Sequence, residues 1–208
     1  MTHTSYAERL TMFATSDHAV STKNYADRTC IIPYGICERG IAWIMPDVFW
    51  ERVASNLAVE HVIEVIKKHK PTFWYAEKGQ IARSIGPFID ARMSEEGVYV
   101  PFMMEMRTQD KVQYAHAARA RAAQGLIRFP RFAPWWGDAK AEMLKFPNGR
   151  YDDFVDTVSN IGMRMNDVFE AGSVINTRGS EPGTFGHMKQ QWAAEAANTG
   201  NGGRARGW

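Results

Sequence analysis

Residues 71–77 read Pro71-Thr72-Phe73-Trp74-Tyr75-Ala76-Glu77. Thr72 to Ala76 form a short, unbroken apolar run, the pattern of a strand buried on both faces rather than one with a wet side. What precedes it decides how the strand is reached. Val53, Leu57, Val62, Val65 and Ile66 recur at helical spacing, which predicts a helix from about Trp50 to His69. Lys67, Lys68 and Lys70 crowd its end, where the helix dipole favours cations, and Pro71 stops it. Those lysines need no function. A strand entered through a helix is a crossover strand, parallel to its neighbour.

Upstream, Leu10–Ser16, Thr29–Ile36 and Gly40–Met45 read as three strands joined by short polar segments, which predicts an antiparallel meander. Pro33 marks the second as irregular or as an edge. Downstream, a helix is expected near Ile81–Met93, a strand at Val98–Met104, an alanine-rich helix at Lys111–Gln124 and a small strand at Leu126–Phe129. The clearest element comes last. Val155, Val158, Ile161, Gly162, Met165, Val168 and Phe169 share one face of a helix from about Asp152 to Phe169. Three antiparallel strands, a crossover helix, parallel strands and a final helix make a layered α/β domain. That order is compatible with a ribonuclease H-like fold, but order alone does not select it.

The chain has 208 residues, 45% of them hydrophobic and 23% charged, the ordinary globular mixture and enough for a core without disulfides. Residues 1–170 are expected to form the domain. Residues 171–208 hold eight of the 17 glycines and read as a flexible tail with a short helix near Met188–Ala197. The net charge of +2 resides in that tail, so any field for nucleic acid must be local. No apolar window is long enough to span a membrane, and the first residues carry no signal-peptide pattern. Cys30 and Cys37, without further soft ligands at suitable spacing, read as free thiols. Motifs of serine hydrolases, zincins and thioredoxin-like proteins are absent.

The acids are placed more tellingly. Asp17 ends the first strand, Glu77 ends the crossover strand, and Asp152, Asp153 and Asp156 open the last helix. In an open α/β sheet, sites form at the carboxyl ends of the parallel strands. Carboxylates held together repel one another, and a hard divalent cation resolves the repulsion. Two such ions, about 3.5–4 Å apart, activate water and stabilise a leaving oxygen in phosphodiester cleavage. Each acid also has a plain structural reading. Asp at a helix start caps it and suits its dipole, Glu after a strand is commonly solvated, and Asp17 could open a turn. Only their joint placement argues for chemistry. Asp152, Asp153 and Asp156 stand at roughly 0°, 100° and 40° around a helix axis, so they do not all point alike.

The run Phe146-Pro147-Asn148-Gly149-Arg150-Tyr151-Asp152-Asp153-Phe154-Val155-Asp156 resembles a motif in the C-terminal nuclease domain of the large terminase subunit of tailed bacteriophages. There, Phe-Pro, a polar turn and His-Asp-Asp are followed, two residues on, by Asp. Ser16-Asp17-His18, Ala76-Glu77-Lys78-Gly79-Gln80 and Asp110-Lys111 resemble its other acidic and Asp-Lys segments, so the similarity runs from about Leu10 to Phe169. The resemblance implies a ribonuclease H-like fold and DNA cleavage with two Mg²⁺ or Mn²⁺ ions during genome packaging. It implies Asp17, Glu77 and Asp153 as catalytic metal ligands and Asp156 as a further ligand, with Asp152 capping the helix or assisting. Its implied partners are double-stranded DNA, a packaging ATPase domain or subunit, the small terminase subunit and the portal, in the host cytoplasm and without a membrane. Two positions depart from the pattern: Tyr151 stands where many members have His, and Tyr114 where Arg often follows Asp-Lys. No Gly-x-x-x-x-Gly-Lys loop is present, so ATP hydrolysis is not expected of these residues.

Lys111, Arg119, Arg121, Arg128 and Arg131 fall in a stretch without acids and are the candidate DNA contacts, against the plain reading of a solvated helix face. His18 alternates away from Asp17 and is expected to be structural. Met103, Met104 and Met106 are expected in the core. Two other functions suit the same residues: a nuclease of related fold such as a junction resolvase, or a non-catalytic module binding DNA or the portal.

Overall fold

A computed structural model describes residues 9–18, 28–77, 85–105 and 110–173. Within them lie seven strands and five helices. The strands are β1 (Leu10–Asp17), β2 (Thr29–Cys37), β3 (Ala42–Ile44), β4 (Phe49–Glu51), β5 (Trp74–Glu77), β6 (Phe102–Glu105) and β7 (Ile127–Arg128). The helices are α1 (Ser55–His69), α2 (Gly86–Glu96), α3 (Lys111–Ala123), α4 (Trp136–Lys145) and α5 (Asp153–Ser173). The sheet runs β6-β5-β1-β2-β3-β7, with β4 also paired to β2. The β1–β2–β3 meander is antiparallel, and β5 and β6 continue parallel to β1. This is a ribonuclease H-like mixed sheet flanked by helices, as expected.

The crossover strand is as the sequence predicts in its parallel place between β1 and β6, but not in burial on both faces. Trp74 and Ala76, on one face, are buried, whereas Tyr75 is half-buried and Phe73 is 36% exposed. Its preceding helix starts later than expected, at Ser55 rather than Trp50. Trp50 fits the helical period, but residues 49–51 pair with Thr29–Ile31 as a strand. β3 and β4 thus share one edge of β2 end to end. The break between them lies beside Pro33, which has no N–H to donate, and the Met45 N–H donates to the Pro33 carbonyl at 3.0 Å. Pro33 therefore marks an irregularity within a central strand whose nine residues are all buried. At the end of α1, Lys70 takes φ 48° and the chain turns into Pro71. Lys67 pairs with Glu96, and Lys68 with Asp47, which His69 also meets, so these two lysines are structural.

The two faces of the sheet differ. Ala14, Ile31, Trp74 and Ala76 face α1 and α2, where Val59, Val62, Ile63, Ile66, Ile89 and Met93 complete an apolar core. Arg92 braces these helices through Glu60, Glu95 and Glu96. The alternate residues Phe13, Thr15, Cys30, Ile32, Tyr34 and Tyr75 form the other face. There, α5 lies over Thr15 and Tyr75, with Asn160 Nδ2–H donating to Thr15 Oγ1 at 3.2 Å and Arg164 over the Tyr75 ring at 5.5 Å. Gly162 lets α5 approach α3: a Cβ there would stand 2.4 Å from the Ala118 backbone.

Both cysteines are free and buried. Met104 packs against the core, but Met103 is 44% exposed, because alternation along β6 turns it to the other face. Met106 lies outside the described residues. No helix among the described residues is long and apolar enough to cross a membrane. By compactness the chain divides into Met1–Asn166 and Asp167–Trp208. The tail expected at 171–208 lies, beyond Ser173, outside the described residues.

Candidate functional site

The parallel register aligns the strand-end acids. Ser16 is the partner of Ala76, so Asp17 and Glu77 are the next positions on two adjacent strands at their carboxyl ends. Glu77 is in turn the partner of Glu105 on β6. The sequence reading ended that strand at Met104 and missed Glu105. A strand one residue longer would have shown a third acid at a strand end.

On the other side of β1, Asp17 is the partner of Cys30, so both belong to the face covered by α5. The surroundings of Cys30 show what meets there. Burial pushes its thiol well up, a hydrogen bond with Thr157 opposes this, and the charges of Asp17, Glu142 and Asp153 add to the rise. Asp17 from β1 and Asp153 from α5, 136 residues apart in sequence, thus both border Cys30: Asp17 as its strand partner, Asp153 one helical turn before the Thr157 that bonds the thiol.

The first turn of α5 is held from several sides. Asp153 is 4% exposed, and its Oδ2 accepts the Arg28 N–H at 3.2 Å. Thr157 and Ser159 donate back to the carbonyls of Asp153 and Val155. Glu142, from α4, accepts the N–H groups of Phe154 at 2.8 Å and Val155 at 3.2 Å. These are unfilled donors of a helix start, so Glu142 serves as a cap supplied by another helix. Burial pushes its carboxyl up to about 7; the two N–H groups pull it down, and Asp153 and Asp152 raise it again. Sequence reading found neither α4 nor Glu142, because no local pattern links residues twelve apart on different helices. Phe154 anchors the turn, fully buried between Trp50 at 5.2 Å and Trp135 at 5.5 Å.

Lys111 occupies the other flank. Its Nζ pairs with Asp152 and, at 2.9 Å, with Asp156, which is buried. Burial disfavours its charge, but the two carboxylates outweigh that and raise its pKa. The helix therefore sorts its acids. Asp153 takes the Arg28 N–H, while Asp152 and Asp156 hold Lys111. Next along α3, Tyr114 O–H donates to Asn160 Oδ1 at 2.9 Å, continuing the Asn160–Thr15 link.

Of the other candidate DNA contacts, Arg119 lines an apolar cavity of about 320 Å³ between α3, α4 and α5. Arg121 is in the last turn of α3 and Arg131 in the turn beyond β7. Arg128 lies on β7 over the Trp43 ring at 4.7 Å. That strand is three places from β1, about 14 Å at ordinary strand spacing. Only Lys111 of the five is thus shown joined to the acids. His18, as expected, belongs to the opposite face from Asp17. It is buried, with Nε2 2.8 Å from Ser16 Oγ, which also accepts the Trp74 indole N–H.

The donor chemistry suits a hard divalent cation, because the half-buried Asp17 and the buried Asp153 supply carboxylate oxygens. Among the described residues, no three His, Cys, Asp or Glu side chains form a metal-holding group. The Glu77 and Glu105 side chains are outside that description.

No protein-family profile matches the sequence, and no curated protein does. Among solved structures, a similarity of fold is found at 9% identity. The large terminase of a thermophilic bacteriophage, in complex with ADP, aligns with 76% of this chain at TM-score 0.50 and 9% identity. The Fowlpox virus resolvase bound to Holliday junction DNA aligns with 76% of this chain and 98% of its own at TM-score 0.44 and 8% identity. The catalytic core domain of BIV integrase aligns with 89% of this chain and 97% of its own at TM-score 0.30 and 10% identity. The chain spans 39% of the length of the phage terminase. At 9% identity the similarity to the terminase is one of fold.

Proposed function

We propose that this protein is a metal-dependent DNA endonuclease, the cutting part of a phage packaging terminase. The observation that carries the reading is the register that sets Asp17 and Glu77 side by side at the carboxyl ends of β1 and β5, with Asp17 opposite the Cys30 whose thiol bonds the first turns of α5 at Thr157. The fold and the Phe146–Asp156 motif support it, and the fold similarity to a large terminase agrees with it. In this reading Asp17, Glu77 and Asp153 hold the cations. Asp156 contributes only by sharing itself with Lys111. With two Mg²⁺ or Mn²⁺ ions bound, such a site supplies an activated water and charge stabilisation for phosphodiester hydrolysis.

The chain's own groups set the stage. Glu142 and the Arg28 N–H fix the turn that presents Asp153. Lys111 offsets the charge of Asp152 and Asp156, so that like charges do not force the helix start away from the strand ends. The substrate in this reading is double-stranded DNA. The packaging ATPase, small terminase subunit and portal are the further proposed partners, and the host cytoplasm is the proposed place of action.

Supercoiled plasmid incubated with the protein and Mn²⁺, with EDTA as control, tests the proposal. Asp17→Asn is expected to slow cutting by about 10²–10³-fold. Unchanged cutting in that variant refutes the assigned site. Binding of DNA without cutting across a range of metals supports a non-catalytic module instead, and a strong preference for four-way junctions supports a resolvase.

A further inference from the structure

A second charged cluster adjoins the acids, and it is positive. The guanidinium carbons of Arg28, Arg52 and Arg150 lie 6.0, 5.4 and 5.2 Å from the centroid of one ring, that of Tyr151. Arg28 also lies over Trp50, at 4.7 Å. Three elements supply these residues: the start of β2, the end of β4 and the turn before α5. Thr29 is the partner of Glu51, so the antiparallel register sets Arg28 opposite Arg52. Like charges directly opposite destabilise a strand pair. Arg150 then brings a third cation to the same ring. Cation–π contacts order the three side chains around that ring.

Such an arrangement suits an anion that can accept several forked N–H groups at once. Arginine is the side chain that matches phosphate in this manner. The cluster is also tied to the acids by a single residue, since Arg28 gives its main-chain N–H to Asp153 while its guanidinium joins the Tyr151 group. Arg52 and Arg150 are exposed, and Arg28 and Tyr151 half-buried, so the group is open to a ligand.

We propose that Arg28, Arg52 and Arg150, gathered around Tyr151, bind a backbone phosphate of the DNA strand that enters the acidic edge. This rests on the nuclease reading and deepens it. The site reads no base sequence, because phosphate contacts position a duplex and do not specify it. It also gives Tyr151 a role, since its ring is the post on which the three forks are spaced.

The test is binding of a labelled DNA duplex by fluorescence anisotropy, with the full chain, in EDTA and over a series of KCl concentrations. The double variant R52A/R150A is expected to bind about tenfold more weakly, with the slope of log K against log salt reduced by about two. Mn²⁺ binding is expected to stay unchanged. K140A/K145A removes the same charge from α4 and is expected to leave the slope nearly intact. R52K/R150K keeps the charge and guards against misfolding of the alanine variant. It is expected to retain the slope but lose affinity severalfold, because ammonium groups lack the fork. The proposal is overturned if R52A/R150A binds like the unaltered protein, if K140A/K145A loses as much, or if the lysine variant binds fully. A protein that binds DNA through this cluster yet cuts nothing would sink the nuclease reading and leave the phosphate site standing.

Discussion

On one face of the sheet, Trp74, Ile31, Ala14 and Ala76 meet α1 and α2 in packing that is apolar almost throughout. On the other, beneath α5, Thr15, Asp153, Asp156, Thr157, Ser159 and Asn160 are buried in polar company. The first face holds the fold together by removing apolar surface from water. The second gathers groups that are expensive to bury and satisfies them one by one through Lys111, Arg28, Glu142 and Tyr114. Hydrophobic packing gains little from such residues. Their concentration near the carboxyl edge of the parallel strands marks where the fold gives up stability for chemistry.

The comparison is broken most forcefully at Trp74, which is fully buried and donates to Ser16. Trp74→Ala is expected to lower stability by about 3–5 kcal/mol in urea denaturation. A loss well below about 1 kcal/mol would show that this face is not the main source of stability. On the α5 face, Gly162→Ala is expected to lower stability by about 1–3 kcal/mol, because the added methyl meets backbone of Ala118 rather than a side chain that can rotate away. An unchanged thermal midpoint would mean that α5 and α3 separate easily.

Asp153→Asn sharpens the contrast in the opposite direction. It relieves repulsion from Glu142, and an amide oxygen can still accept the Arg28 N–H. Stability is expected to stay level or rise by up to about 1 kcal/mol while cutting is lost. A large fall in stability would make Asp153 a structural residue.

The faces differ also in pH dependence, where their signs are opposite. Burial lowers His18 from its ordinary 6.5 to about 4. The unfolded chain takes up that proton first, so this contribution is full above pH 6.5 and lost as the pH falls through 4. Burial raises Glu142 from 4.5 to about 7. Here the folded chain holds the proton more tightly, so the contribution is full below pH 4.5 and lost as the pH rises through 7. Stability measured from about pH 4 to 8 is expected to lose part of its acid fall in His18→Gln. In Glu142→Gln it is expected to lose part of its decline toward neutrality. Curves parallel to that of the unaltered protein would dissociate these residues from the titration.

Much of the fold was legible because its signals are local. The apolar run at Phe73–Ala76, the helical period before it and the stripe from Val155 to Met165 each reflect one element and the face it buries. The acids at Asp17, Glu77 and Asp153 were visible as ends of such elements. Other features had no local mark. Trp50 satisfies a helical period as well as it satisfies a strand, and only pairing with Cys30 decides between them. Helix α4 escaped notice because its buried residues include the acid Glu142, which runs against an apolar stripe.

By itself the sequence determined where strands and helices alternate and which acids stand at their ends, since periodicity and chain punctuation act over a few residues. Only the tertiary structure decided that Asp153 takes the Arg28 N–H while Asp152 and Asp156 take Lys111, and that Arg28, Arg52 and Arg150 share one tyrosine ring. Those outcomes depend on register between strands and on the rotation of α5 over the sheet. Both are fixed by packing among residues far apart in the chain, and packing energy has no expression in any short stretch of sequence.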